Sequence, residues 1–247
     1  MSPEPEVSPD VPRAATVGDG DSLGQAGQQV GAPVPGWAGS FSPRGHVLTG
    51  RWVTLRPLVA TDAQGLHTAY ADQSDADWTY LSVERPTSIA ATEAIVDDLL
   101  AAPMLPYAVV RQGESSPVGM LSLMRIDPAN GVIEIGWVAL GPGLQRTPGS
   151  TEAQRLLMGH VFEDLGYRRL EWKCDALNAP SMRAAKRLGY TYEGTFRQAI
   201  VTKGRNRDTA WWSVIDSEWP AVRDRLDAWL DPANFDATGC QHTRLGG

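Results

Sequence analysis

Residues 141–153 read GPGLQRTPGSTEA and lie between a predicted strand, residues 132–140, and a predicted helix, residues 148–165. Alternating apolar residues indicate the strand, and apolar residues at helical spacing indicate the helix. Thr147 suits the N-cap of that helix, and Pro148 suits its first position, where a missing N–H costs no hydrogen bond. The stretch therefore predicts a strand that turns directly into a helix.

The start of this helix has the features of an anion-binding site. The first amides of a helix have no partner within it, and they point outward at the positive end of the helix dipole. A diphosphate is the ligand that fits such a site best. We expect amides or hydroxyls to come from Thr147, Gly149, Ser150 and Thr151, with Arg146 as a further donor and Gly149 allowing close approach of the backbone. The alternative is an ordinary connection that only begins a helix, and the local chemistry leaves both open.

Strand and helix patterns alternate along the rest of the chain. The predicted strands are residues 51–58, 106–112, 118–126, 132–140, 167–174, 192–202 and 209–215. The predicted helices are residues 61–71, 88–101, 148–165, 180–188 and 219–230. Interleaved strands and helices predict an α/β (α+β) domain with a mixed central sheet of about seven strands flanked by helices.

The two ends of the chain differ in composition from its middle. Residues 1–45 are rich in Pro, Gly, Ser, Ala and Gln, so they bury too little apolar surface to offset their ordering entropy and are predicted to be disordered. Residues 236–247 are predicted to be a flexible tail. One folded domain, residues 46–235, remains between them.

The overall composition narrows the range of partners. A formal net charge of −7 disfavours free nucleic acid, which is bound by clustered positive charge. Cys174 and Cys240 do not have the spacing of metal ligands, so no metal is expected. Two cysteines this far apart also do not indicate a disulfide framework. The absence of a long apolar run or a signal-peptide pattern predicts a cytoplasmic protein with no membrane partner. We also expect it to be a monomer or a homodimer.

Several short blocks together resemble the GNAT acetyltransferases, in the form that RimJ/RimL-type enzymes carry. They are EIGWVAL at 134–140, QRTPGSTEA at 145–153, NAPS at 178–181, RLGY at 187–190 and EG at 193–194. The first two resemble the fourth strand and the acetyl-CoA loop of that family. The resemblance extends over about residues 48–231 and implies the GNAT fold, acetyl-CoA as co-substrate and N-acetyltransferase activity.

The resemblance also implies which residues contact acetyl-CoA. They are Val138, Ala139, Leu140, Gln145, Arg146, Thr147, Pro148, Gly149, Ser150, Thr151, Asn178, Ser181 and Arg187. Pro148 and Ser150 stand where the family loop has a glycine and a glycine or alanine, so Arg146 or a hydroxyl has to replace one amide donor. Ala185 stands where many members have a proton-donating tyrosine.

Acetyl transfer from a thioester to an amine needs a neutral amine, a stabilised oxyanion and a proton for the departing thiolate. Glu134 is the predicted general base, directly or through a water, because it shares a strand face with Gly136 and a carboxylate in a dry cleft has a raised pKa. The alternative is a surface glutamate paired with an arginine. By analogy with the family, a backbone N–H of Val138 or a neighbour polarises the thioester carbonyl. Ser181 is the candidate proton donor to the coenzyme A sulfur, or a group that hydrogen-bonds near it, with helix capping as the alternative. Asn178 is a candidate contact for pantetheine, a role compatible with capping the following helix.

Three residues are candidates for contact with the acceptor: Trp137, Glu193 and Asp208. For the two carboxylates, a structural ion pair with Arg197 or Arg207 is the alternative.

Charged residues also alternate along strand 167–174. Glu171, Lys173 and Asp175 share one face of it, and Trp172 and Cys174 share the other. The charged row could border the cofactor site, but a solvated face is the favoured interpretation.

The expected function is transfer of acetyl from acetyl-CoA to a protein N-terminal α-amine. One alternative is acetylation of a small amine, such as an antibiotic or a polyamine. Another is a non-catalytic module that binds acetyl-CoA as a sensor or scaffold.

Overall fold

The structure, a computed structural model, describes residues 27–236 and 239–246. Residues 27–38 belong to a unit separate from the main one and are largely exposed. The predicted disorder of residues 1–26 lies outside the described residues. The second unit begins at Gly39, earlier than the predicted boundary, because the N–H groups of Ser40 and Phe41 donate to Pro128 O and Leu165 O at 2.9 Å each.

Eight strands of the described chain form one mixed sheet in the order β1-β2-β3-β4-β5-β6-β8-β7. They are β1 (Leu48–Thr49), β2 (Val53–Pro57), β3 (Leu105–Arg111), β4 (Pro117–Asp127), β5 (Val132–Leu140), β6 (Arg169–Asp175), β7 (Thr191–Thr202) and β8 (Arg205–Ile215). Neighbouring strands are antiparallel except β5 and β6, which are parallel. The predicted fold class is confirmed; the additional strand, β1, has two residues, too few to show a pattern.

Five α-helices flank the sheet in the described part of the chain. They are α1 (Ala63–Tyr70), α2 (Ile89–Ala101), α3 (Pro148–Gly159), α4 (Ala179–Leu188) and α5 (Trp219–Trp229). The helix predicted for residues 148–165 leaves α geometry after Gly159 and continues as one π-helical turn, His160–Asp164. Within residues 27–236 and 239–246, no helix combines the length and the apolar character needed to cross a bilayer.

The hairpin of β7 and β8 is tighter than the sequence predicts. The predicted strands end at residue 202 and resume at residue 209, but Thr202 pairs with Arg205 and only Lys203 and Gly204 make the turn. Their φ angles are 49° and 70°, and a two-residue type I′ turn needs positive φ at both positions. The polar residues 205–207 therefore belong to β8, since backbone pairing does not require apolar side chains.

Apolar side chains cover both faces of the sheet. Met120 of β4 packs in a cluster with Leu66 of α1 and Ile95 of α2. The next residue, Leu121, packs in a second cluster with Leu157 of α3. Because successive strand residues point to opposite faces, α1 and α2 cover one face and α3 covers the other, together with α4 and α5.

Residues 239–246 lie against the folded unit, whereas the sequence predicts a flexible tail at 236–247, of which residues 237, 238 and 247 lie outside the described residues. Leu245 is 4% exposed and belongs to the cluster on the α3 face. Trp229 Nε1 donates to Gln241 Oε1 at 2.9 Å, and His242 N donates to Asn234 O at 2.7 Å. One buried leucine and a few backbone contacts place this segment, which a composition-based prediction does not detect.

Candidate active site

β5 and β6 separate shortly after they meet. They pair only from Val132 to Glu134 on β5 and from Arg169 to Glu171 on β6. β5 nevertheless continues to Leu140, so its last part leaves β6 and a gap opens between the two strands. Beyond Glu134 the backbone of β5 no longer pairs with β6, although Ala139 O accepts from the Tyr70 hydroxyl and Leu140 O accepts from Gln73 Nε2 and Gln145 Nε2.

A β-bulge reshapes β5 at this gap. Between Gly136 and Ala139, β5 advances by three residues while β4 advances by two, from Ser122 to Met120. Trp137 has a φ of 51°, a left-handed conformation that is uncommon outside glycine. Bulges turn backbone groups away from the regular ladder and often occur beside active sites. The N–H groups that follow Trp137 can thereby point into the gap.

Glu134 is buried at the point where the strands separate. The residue is 5% exposed, and Oε2 accepts a hydrogen bond from Lys173 Nζ at 2.8 Å. Burial raises the pKa of Glu134, and the lysine partly opposes that effect. Oε1 lies 3.1 Å from where a Cβ on Gly136, two residues further along β5, would be. The predicted base is therefore a buried carboxylate with one oxygen held and the other facing along β5, and its nearest cation is a lysine rather than an arginine.

Ser181 lies on the other face of the sheet. Its Oγ accepts the indole N–H of Trp172 at 3.0 Å. Trp172 packs in the cluster on the α3 face, so the next residue, Lys173, and its partner Glu134 face α1 and α2. Asn178 Oδ1 accepts the N–H of Ser181 at 3.1 Å, which confirms helix capping by Asn178. The Ser181 hydroxyl also forms a hydrogen bond with the Cys174 thiol, and a role of Ser181 as proton donor to the coenzyme sulfur stays a prediction.

The turn before α3 is fixed by its own hydrogen bonds. Leu144 is 1% exposed, and the N–H groups of Leu144 and Gln145 both donate to Gly141 O, at 2.9 and 3.1 Å. Gln145 Nε2 donates to Leu140 O at 2.8 Å. Arg146 is exposed with a φ of 61°. This internal bonding holds the turn in one shape before any ligand arrives.

The hydroxyls at the start of α3 are used differently from the prediction. Thr147 is the N-cap and Pro148 begins the helix, as expected, but the Thr147 hydroxyl donates to Leu144 O at 2.7 Å. The Ser150 hydroxyl donates to Thr147 O at 2.7 Å. Both hydroxyl protons are occupied by carbonyls of the turn, and the Ser150 N–H also donates to Thr147 O, at 3.2 Å. An anion here would therefore rely mainly on the amides of Gly149 and Thr151 and on Arg146.

Arg187 brings positive charge to the same helix start. Its Nη2 donates to Thr151 Oγ1 at 2.8 Å, and its guanidinium carbon lies 5.5 Å from the ring centroid of Trp229. Arg187 is on α4, and Thr151 is in the first turn of α3. The structure thus places Arg187 beside the residues that the sequence predicts to bind a diphosphate.

Gly149 has a packing role that the sequence does not predict. A Cβ at this position would lie 3.0 Å from Val53 Cγ1 and 3.1 Å from Leu144 Cδ1. The missing side chain thus allows α3 to approach β2 and the turn, and close approach of a ligand to this backbone stays a prediction.

The substitution Gly149→Val is expected to lower the free energy of unfolding by about 1–3 kcal/mol, the usual cost of overpacking. Gly149→Ala should cost less, because only one methyl group has to be accommodated. Urea unfolding would measure both, with Gly31→Val as a control at a glycine whose Cβ would meet nothing within 4 Å. An unchanged midpoint for Gly149→Val would contradict the packing explanation.

Glu193 is held in an ion pair. Its two oxygens accept from Arg169 Nη1 and Nη2 at 2.6 Å each, and Oε1 also accepts from the Ser213 hydroxyl at 2.7 Å. This is the structural role named as the alternative, although the partner is Arg169 rather than Arg197 or Arg207.

The other two acceptor candidates also make structural contacts. Asp208 Oδ1 accepts from Gln198 N at 2.7 Å and from Asn206 Nδ2 at 2.9 Å, which stabilises the hairpin of β7 and β8. Trp137 is partly buried against the cluster covered by α1 and α2. Contact of either with an acceptor stays a prediction.

Two features of the site are not evident from the sequence. Glu171 and Lys173 are predicted to be solvated, but Glu171 is 5% exposed and the Lys173 side chain 8% exposed, because β6 lies between β5 and β8. Glu152, to which no role was assigned, is 7% exposed and accepts three backbone N–H groups, those of Arg51, Trp52 and Val53. Its position beside Ala153 on the apolar side of the predicted helix is the one signal that could have identified it.

A family model described as an acetyltransferase (GNAT) domain matches residues 53–191, more than half of the chain. The chain belongs to the GNAT acetyltransferase family. The GNAT resemblance predicted from the sequence is thus confirmed, and the separated strands, the bulge and the turn before α3 lie within the matched region.

Similar proteins agree with this GNAT assignment. A crystal structure of a GCN5-related N-acetyltransferase from Brucella melitensis is 45% identical, has a TM-score of 0.83, and is aligned over 86% of this chain and 97% of that one. In Bacillus subtilis, the "Uncharacterized N-acetyltransferase YnaD" is 29% identical over 86 residues, which are 35% of this chain and 50% of that protein. The "Putative ribosomal N-acetyltransferase YdaF" is 31% identical over 110 residues, 43% and 57% of the two chains. The matches therefore span only about half the length of these two relatives.

Proposed function

We propose that this GNAT protein transfers the acetyl group of acetyl-CoA to an amine, and that the acceptor is the N-terminal α-amine of a protein. The observation that carries the proposal is the position of Glu134. A buried carboxylate with a raised pKa lies where β5 and β6 separate, and the same strand leads into the start of α3, the proposed anion site. Perturbed carboxylates in such positions are frequent at catalytic sites.

Acetyl-CoA would bind along β5, with its diphosphate at α3. The amides at the start of the helix, the helix dipole and the nearby Arg187 all favour a negative charge there. The pantetheine arm would follow the free edge of β5 into the gap. This orientation brings the thioester near the bulge and near Glu134.

The reaction would then proceed by direct attack of the amine on the thioester carbonyl carbon. Glu134 Oε1 accepts the proton that the amine nitrogen loses, directly or through a water. A backbone N–H after the bulge, from Val138 or a neighbour, donates to the oxyanion. When the C–S bond breaks, the thiolate takes a proton from solvent, directly or through the Ser181 hydroxyl, which regains a proton from solvent as it gives its own, and the products are an N-acetyl amine and coenzyme A.

Two arguments favour a protein α-amine as acceptor. Its pKa is about 8, so roughly a tenth is already neutral at pH 7, whereas a lysine side chain at about 10.4 is almost entirely charged. A single buried carboxylate acting as general base is therefore sufficient for an α-amine. The name of YdaF, with 31% identity over 110 residues, also points to a ribosomal protein as substrate.

An acceptor panel would test the proposed function. Release of coenzyme A would be followed with peptides that have free N-termini, with N-blocked peptides containing lysine, and with polyamine and aminoglycoside amines. Release that depends on a free N-terminus is the expected result. Coenzyme A release with the small amines alone would contradict a protein substrate and indicate a small-amine acetyltransferase. Tight acetyl-CoA binding with no acceptor-dependent release would indicate a sensor.

The substitution Ser150→Glu tests the diphosphate site separately from catalysis. Ser150 occupies the third helical position, where glutamate is favourable for the helix but places a negative charge at the anion site. We expect the Kd for acetyl-CoA to rise about tenfold or more through like-charge repulsion, without loss of thermal stability. Ser150→Gln is the matched neutral control. Equal Kd values for the two variants, measured by calorimetry, would place the diphosphate elsewhere.

A further inference from the structure

Lys173 contacts both buried carboxylates of the separated strands. Its Nζ lies 2.8 Å from Glu134 Oε2 and 2.8 Å from Glu171 Oε2, and its side chain is 8% exposed. The same nitrogen is 3.9 Å from the ring centroid of Trp211, within cation–π range. A long, flexible side chain is thereby held at one position by two anions and one aromatic face.

The strand register explains why a cation is needed there. Glu134 pairs directly with Glu171 across β5 and β6. Two carboxylates on one face, both buried, repel each other and cannot both stay ionised without a compensating charge. Arg125 also approaches them, at 3.6 and 3.9 Å, but its side chain is 58% exposed, so water screens its charge. Lys173 is the buried cation shared by the two.

We propose that Lys173 is a positioning residue for acetyl transfer: its ammonium group holds Oε2 of Glu134 and keeps that carboxylate ionised, so that Oε1 stays free to accept a proton. The proposal rests on the proposed role of Glu134 as base. Lys173 would touch neither acetyl-CoA nor the acceptor. Its effect would be exerted through the charge and orientation of Glu134.

The charged groups around Glu134 act in opposite directions. Burial and the Glu171 carboxylate raise the pKa of Glu134, whereas Lys173 and Arg125 lower it. Glu171 is itself bound by Arg169 Nε at 2.9 Å. The Tyr190 hydroxyl is also near enough to interact with Glu134, but burial raises its pKa, so it remains neutral. Removing Lys173 and removing Glu171 must therefore move the titration of Glu134 in opposite directions.

The test is the dependence of kcat on pH at saturating acetyl-CoA and acceptor. An ionised base makes kcat fall as the pH drops through the pKa of Glu134. We expect Lys173→Met to raise the midpoint of that fall by about one pH unit or more, Glu171→Gln to lower it, and Lys173→Arg to restore it nearly to the wild-type value. The acceptor amine is the same in all variants, so its own ionisation cancels in the comparison.

The outcomes separate this inference from the proposed function. If Lys173→Met is too unstable to assay, Lys173→Gln removes the charge while keeping a hydrogen-bond donor, and the same rise in midpoint is expected. A lower kcat with an unmoved midpoint in these variants, while Glu134→Gln is slow, would overturn the role of Lys173 and leave Glu134 as the base. A wild-type profile for Glu134→Gln would instead remove the base assignment itself.

Discussion

Replacing Glu134 with glutamine is expected to lower kcat by about 100-fold or more, the usual contribution of a positioned general base. The amide keeps the size of the side chain and can still accept from Lys173 Nζ, but it cannot take a proton from the attacking amine. The loss should be largest at pH values above the pKa of Glu134 and below that of the acceptor amine. In that window the wild-type Glu134 carboxylate is ionised, whereas most of the acceptor amine is still the protonated ammonium form and needs a base before it can attack.

The measurement is kcat as a function of pH for both proteins, with coenzyme A release as the readout. Because burial raises the pKa of Glu134, the wild-type rate should begin to fall at a higher pH than an ordinary glutamate would give. In Glu134→Gln this fall should disappear and leave only the ionisation of the amine. Glu93→Gln, at an exposed position on α2, is a matched control. A wild-type profile in Glu134→Gln would exclude Glu134 from the mechanism.

The substitution Glu152→Ala is expected to lower the free energy of unfolding by about 3 kcal/mol or more, because buried donors lose a charged acceptor. The Glu152 carboxylate accepts the N–H groups of Arg51 and Trp52 at 2.7 Å and of Val53 at 2.9 Å. Val53 is fully buried, so water is not expected to replace the carboxylate at its N–H when the side chain is truncated. The start of β2 would thus lose its attachment to α3.

Urea unfolding of Glu152→Ala, Glu152→Gln and the control Glu93→Ala would measure this effect. Glutamine retains one accepting oxygen but turns an amide donor toward another donor, so an intermediate loss is expected. The exposed control should change stability by no more than about 0.5 kcal/mol. A loss for Glu152→Ala as small as that of the control would mean that water replaces the carboxylate at no cost.

Local sequence patterns predict much of this fold. Apolar periodicity identifies seven strands and five helices, and Thr147 and Pro148 mark the start of α3. The tight turn at Lys203 and Gly204 is not anticipated, because lysine rarely adopts positive φ and the pairing that imposes it comes from the sheet. The same limit applies to Leu245, whose burial depends on a surface formed by distant residues.

The sequence predicts the parts of the candidate site that depend on neighbouring residues, but not the contacts between residues that are far apart in the chain. Glu134 stands out as a carboxylate in an apolar strand, and the turn before α3 stands out through its capping residues. The burial of Lys173 is not visible in an alternating charged strand, since it results from β5 and β8 pairing on either side of β6. Likewise, the partners of Glu152 lie about 100 residues away in sequence. Which residue types occur is local information, but which charges meet is decided by the strand order.

A crystal structure of the protein with acetyl-CoA would test the central claim most directly. The account predicts the diphosphate within hydrogen-bond distance of the amides of Gly149 and Thr151, and the thioester between β5 and β6 beside Glu134 Oε1. A closed turn with the diphosphate bound elsewhere, or a thioester on a face of the sheet remote from Glu134, would contradict it.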